Sequence, residues 1–84
     1  MIIDNLVLQG AEILKKNNIE SYKIDSEILL TLVTKKNREQ NITSGRNFIK
    51  KSSVSNYLKL IDRRVKKEPV AYIIKKKEFW SKNF

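Results

Sequence analysis

A few groups in this sequence have chemistry to offer. Asp25 and Glu27 are carboxylates two positions apart. Cations cluster at Arg63, Arg64, Lys66 and Lys67, and again at Lys75, Lys76 and Lys77. Tyr72, Phe79 and Trp80 are aromatics near the end of the chain. Two carboxylates can share general acid–base work only if they converge on one point. Residues two apart on a helix face away from each other, so Asp25 and Glu27 read better as anions complementing a helix dipole or as partners for Arg63 or Arg64. The cations could hold phosphate or an acidic protein surface, and Trp80 could stack on a base. Tyr72 reads as a half-buried packing residue whose hydroxyl finds one partner. Histidine and cysteine are both absent, which excludes triads, thiolate nucleophiles and the usual zinc ligands. Gly10 and Gly45 lie too far apart to build a phosphate-cradling loop. The residues therefore predict a helical binding or linker module with no catalytic, metal-binding or cofactor-binding residues.

At 84 residues, the chain is one small domain that buries roughly 60–65% of its unfolded surface. An apolar content of 40% supports a modest core and no cofactor-sized cavity. No apolar run approaches the ~18 residues of a membrane span, and Met1-Ile2-Ile3-Asp4 lacks the basic start of a signal peptide. The lack of disulfides fits a reducing cytoplasm. The net charge of +9 points to an anionic partner, whether nucleic acid, membrane surface or acidic protein.

The elements that must position these groups are helices. Ile3, Leu6, Val7, Ile13 and Leu14 form a helical stripe from Ile3 to about Asn17, interrupted by Gly10, which close approach of another helix would justify. Asn17-Asn18 suits a left-handed end. Ser21 caps a second helix, apolar on more than one face and therefore central, which closes at Lys35-Lys36. Asn37 and Gln40 match a capping box for a helix of one or two turns, and Thr43-Ser44-Gly45 signals a turn. The stretch from Asn47 to Lys51 is either extended or the end of a short helix. Ser52-Ser53 is expected to cap a fourth helix with Val54, Tyr57, Leu58, Ile61 and Val65 on one stripe. That helix must stop near Lys67, because Pro69 lacks an N–H and clashes with a preceding turn. A short fifth helix runs from Pro69 to about Lys75, with Glu68 as its cap, and the segment after it is extended. The sum is an all-α fold, a small orthogonal bundle of about five helices that ends in the start of an extended linker strand. The uncapped end predicts that a longer protein continues beyond Phe84.

Lys15-Lys16, Lys35-Lys36, Lys66-Lys67 and Lys75-Lys76-Lys77 each fall at a predicted helix C-terminus, where a cation gains about 0.3–1 kcal/mol. Much of the charge thus has a local use. The surplus in the final third could still form one basic rim.

The run Glu68-Pro69-Val70-Ala71-Tyr72-Ile73-Ile74, followed by Glu78-Phe79-Trp80 and Phe84, resembles the segment joining the two domains of the HemK-type (PrmC) methyltransferases, which modify a glutamine of peptide-chain release factors. Asp25-Ser26-Glu27-Ile28-Leu29-Leu30 resembles that family's second-helix motif, and Arg63-Arg64 stands where its fourth helix ends. The order and spacing agree over nearly the whole chain. Lys75 and Ser81 depart from it, standing where the family often has glycine. The resemblance implies that residues 1–75 are a helical substrate-recognition domain and 76–84 the start of a β-hairpin linker. The catalytic domain, with S-adenosylmethionine and an Asn-Pro-Pro-Tyr motif, would lie beyond. The implied partners are a release factor and the protein's own catalytic domain. Arg63, Arg64, Lys66, Lys67, Lys75, Lys76 and Lys77 would face the partner, and Tyr72, Phe79 and Trp80 would anchor the domains to each other. The alternative is a freestanding basic helical module that binds RNA or DNA through Lys75, Lys76 and Lys77, with Trp80 stacking.

Overall fold

In the computed structural model, which describes residues 1–74, the apolar stripes wind into four helices: α1 (Ile3–Lys16), α2 (Tyr22–Thr34), α3 (Arg38–Thr43) and α4 (Lys51–Val65). A fifth helix, α5, opens at residue 70 and is described to residue 74. The expected all-α fold is what forms, and no strand occurs among the described residues, where Ile2 and Phe48 make one isolated antiparallel bridge. Residues 76–84, where the linker strand is expected, lie outside the described residues.

α2 is central, as its apolar girth predicts. It packs on α1, α3 and α4, while α1 also packs on α4. Leu6, Leu14, Leu29, Leu30, Tyr57, Ile61 and Ile73 are fully buried between them. Each such aliphatic side chain contributes about 1.5–3 kcal/mol through burial. Ile73 draws the short α5 into this core.

The helix ends follow local rules. α1 stops in a Schellman motif: the Asn18 amide, at φ 64°, donates to the Lys15 carbonyl, and Ile19 donates to that of Leu14. α4 ends the same way, with Lys67 at φ 75° donating to Arg64 and Glu68 donating to Arg63. The capping box of α3 is present in full: Gln40 N donates to Asn37 Oδ1 at 2.8 Å and Asn37 N to Gln40 Oε1 at 2.9 Å. Three expected caps differ. Ser21 stands at the N-cap of α2, but its hydroxyl donates to the Asp25 carboxylate and makes no cap bond. Lys50, not a serine, is the N-cap of α4, and Ser52-Ser53 fall inside its first turn. The backbone bonds from Ile3 N to Asn47 O and from Ile49 N to Met1 O hold the preceding stretch extended, and so fix where α4 can begin. Glu68 does not cap α5 with its side chain, which is taken by Arg63. The Pro69 carbonyl instead accepts from Tyr72 and Ile73 to open the helix.

Candidate partner interface

The second-helix motif is spent residue by residue on joining elements. The Asp25 carboxylate, almost fully buried, takes Arg64 Nε at 2.9 Å and the Ser21 hydroxyl at 2.7 Å. Ser26 is completely buried, and its carbonyl accepts from the Tyr57 hydroxyl at 2.9 Å. Burial pushes the Tyr57 phenol well above its ordinary pKa, and the charge of Glu27 adds to the effect. Glu27 turns to the other side and takes both Nε and an end nitrogen of Arg38, at 3.0 and 2.8 Å. The two carboxylates therefore diverge, as their spacing requires, and make no acid–base pair. Leu29 and Leu30 complete the motif in the core.

The same accounting applies to the proposed basic rim. Arg63 Nε pairs with Glu68 at 2.8 Å, and Arg64, held by Asp25, also reaches the Glu68 carbonyl at 3.4 Å. Both arginines lock the α4–α5 corner. Lys66 is exposed and pairs with Asp62 one turn back at 3.2 Å, a contact worth little in water. Lys67 Nζ donates to the Asn17 carbonyl at 3.1 Å, a contact that brings the C-terminal ends of α1 and α4 together. Lys15, Lys16, Lys66 and Lys67 thus gather where two helices present their negative ends. Tyr72 is 45% exposed on α5. Lys75, Lys76, Lys77, Phe79 and Trp80 lie outside the described residues.

One link had little signal in the sequence: Glu68 as the arginine partner is separated from Arg63 by a chain reversal. The close approach expected at Gly10 is made by α4, whose Tyr57 ring and hydroxyl sit directly over the glycine.

Comparison with known proteins places the chain in a family. The family model described as the PrmC N-terminal domain matches residues 5–74. The chain belongs to the PrmC N-terminal domain family. Among its relatives, the release factor glutamine methyltransferase of Clostridium botulinum is 40% identical over 84 residues, which is 100% of this chain and 30% of that protein. The enzyme of the same name in Haemophilus influenzae is 42% identical over 71 residues, 84% of the chain and 24% of the relative. A bifunctional methyltransferase of Rickettsia felis is 33% identical over 82 residues, 98% of the chain and 16% of the relative. The chain thus spans 30% or less of the length of these relatives. No solved structure matches it.

Among the described residues of this PrmC N-terminal domain, the space directly above each glycine is filled, by Tyr57 at Gly10 and by the Asp4 carboxylate at Gly45. No group of acidic residues among them could hold a metal, and no helix is long and apolar enough to cross a membrane.

Proposed function

We propose that this chain is the substrate-recognition domain of an S-adenosylmethionine-dependent methyltransferase that modifies a glutamine of a peptide-chain release factor. The observation that carries this reading is family membership across residues 5–74, together with relatives named release factor glutamine methyltransferase. The helical domain supplies contact area and steering, and the methyl transfer belongs to a catalytic domain. Lys66 and Lys67, with Lys15 and Lys16 beside them, attract an acidic face of the release factor. Such attraction raises association rate more than final affinity. Arg63 and Arg64 act on the partner through the rigid corner they build. Residues 76–84 lead as a linker toward the catalytic domain, with Tyr72, Phe79 and Trp80 anchoring the junction.

The test is a titration of the full-length protein, and of the same protein lacking the helical domain, against a release factor. The expected result is weaker binding without the domain and, for the intact protein, binding that weakens with salt. Equal affinity for the two proteins would overturn the recognition role. Tighter binding to short RNA than to the release factor, with a steep salt slope, would replace this reading with nucleic-acid binding.

A further inference from the structure

Among the described residues, one stretch pairs as a strand would, and it lies where α1 and α4 begin. Ile3 N donates to the Asn47 carbonyl at 3.0 Å, and Ile49 N to that of Met1 at 3.0 Å. Phe48, bridged with Ile2 between these bonds, turns its own amide and carbonyl to the opposite edge. Those two groups, and the Lys50 amide that comes next on that edge, have no hydrogen-bond partner among the described residues. Ile49 packs inward on the core, so Phe48 and Lys50 on either side of it stand on the outward face. Phe48 is 82% exposed.

The charges at this edge have no use in the fold. Arg46, Lys50 and Lys51 are exposed, and none makes an ion pair among the described residues. Lys50 is the N-cap of α4 and Lys51 its first residue, and the first turn of that helix holds no acid. Cations at a helix start oppose its dipole, the reverse of Lys15, Lys16, Lys66 and Lys67 at the far ends of the same two helices. One acid comes near: the Asp4 carboxylate lies over Gly45 and pairs with none of the three cations. A positive surface, a bare ring and an open main-chain edge thus coincide. Nucleic acid answers the charge and the ring but has no main-chain groups to continue a ladder. A second copy would set like charges face to face, and lysine on a free edge opposes such pairing. An acidic, extended polypeptide meets all three features.

We infer that the Phe48 edge takes a segment of an acidic partner polypeptide as an added antiparallel strand. One partner residue exchanges both main-chain bonds with Phe48 and lays an apolar side chain on its ring. Two residues along on the same face, an acid meets Lys50. A second acid, on the other side of the apolar residue, meets Arg46. The site stands at the opposite end of α1 and α4 from Lys66 and Lys67, roughly 20 Å away along the helices. It holds whether or not that basic end meets a release factor.

Backbone amide NMR of the full-length protein, titrated with acetyl-Glu-Thr-Val-Thr-Glu-amide, tests the edge. The Phe48 and Lys50 amides should shift saturably and gain protection from hydrogen exchange, and the response should weaken with salt. The same peptide with lysine for both glutamates should leave them unmoved. Lys50→Glu should weaken the response at least about fivefold, while its melting temperature holds or rises because an anion suits a helix start. Phe48→Ser should weaken it as well with melting unchanged, since the ring already stands in solvent. Unmoved Phe48 and Lys50 amides, an equal response to the lysine peptide, or variants that respond like the parent would overturn the inference. So would shifts of the same amides on concentrating the protein alone, which would make a second copy the occupant. Tighter binding of pentathymidylate at these amides would overturn it in favour of nucleic acid.

Discussion

At the scale of single residues, Tyr57 and Gly10 form a tight joint, with the ring of one lying on the bare Cα of the other. Alanine is ordinarily the better helix former by about 1 kcal/mol. Here its methyl would drive into the tyrosine ring and hydroxyl, and overpacking of this kind costs about 1–3 kcal/mol. Gly10→Ala is therefore expected to destabilise the domain in chemical denaturation despite the propensity gain. The loss should shrink in a Tyr57→Phe background, because the hydroxyl is the nearest obstacle. The same phenol gives a pH dependence with a definite sign. Its folded pKa is raised above the ordinary tyrosine value of 10.0, so the stability it contributes is complete below pH 10. That contribution is lost as pH rises further, where the unfolded chain can ionise and the folded one resists, at up to about 1.4 kcal/mol per pH unit. Denaturation measured from pH 9 to 11 should show this slope in the parent and a shallower one in Tyr57→Phe, with lysine titration common to both. Sequence spacing reveals that Asp25 and Glu27 cannot cooperate. It does not reveal which arginine each one takes, because Arg64 and Arg38 reach them across tertiary contacts 39 and 11 residues distant.

At the scale of elements, the ends of the helices were more legible than their joints. The Asn37–Gln40 box and the left-handed Asn18 use local chemistry, which a sequence displays directly. The start of α4 is set instead by backbone pairing of residues 47 and 49 with the N-terminal strand-like residues, which overrides the serines' capping preference. The same logic explains why Asn37 matters more than a six-residue helix suggests. Without its cap, α3 has two exposed donors and little length to hold it. Asn37→Ala should cost about 1 kcal/mol, and hydrogen exchange should speed up first across α3. Conversely, Lys35 occupies the left-handed region at φ 60° without a Cβ-free backbone. Lys35→Gly should raise stability by about 0.5–1 kcal/mol, seen as a higher melting temperature. Failure to gain would mean that the lysine side chain repays the strain.

Over the whole molecule, the question is what the charge of +9 is for. Two demands compete for it. Helices α1 and α4 bring their C-termini side by side through Lys67 and Asn17, and cations there stabilise the fold against two converging dipoles. Partner attraction draws on the same lysines. The arginines serve neither demand at long range, since Asp25 and Glu68 hold them. The two uses separate by experiment because they respond differently to substitution. Replacing Lys66 by Gln removes an exposed charge whose ion pair is worth under about 1 kcal/mol, so melting should barely change. If the basic end steers a release factor, the association rate of the full-length protein should fall and its salt dependence flatten, while dissociation stays the same. Replacing Arg64 by Met should do the reverse: it leaves the Asp25 carboxylate buried with only the Ser21 hydroxyl, at a cost of about 3–5 kcal/mol, and weakens binding only as far as the α4–α5 corner loosens. Stopped-flow association at two ionic strengths, beside thermal melts of both variants, distinguishes the roles. A Lys66→Gln protein that melts early and binds at the parent rate would assign the lysines to the fold alone.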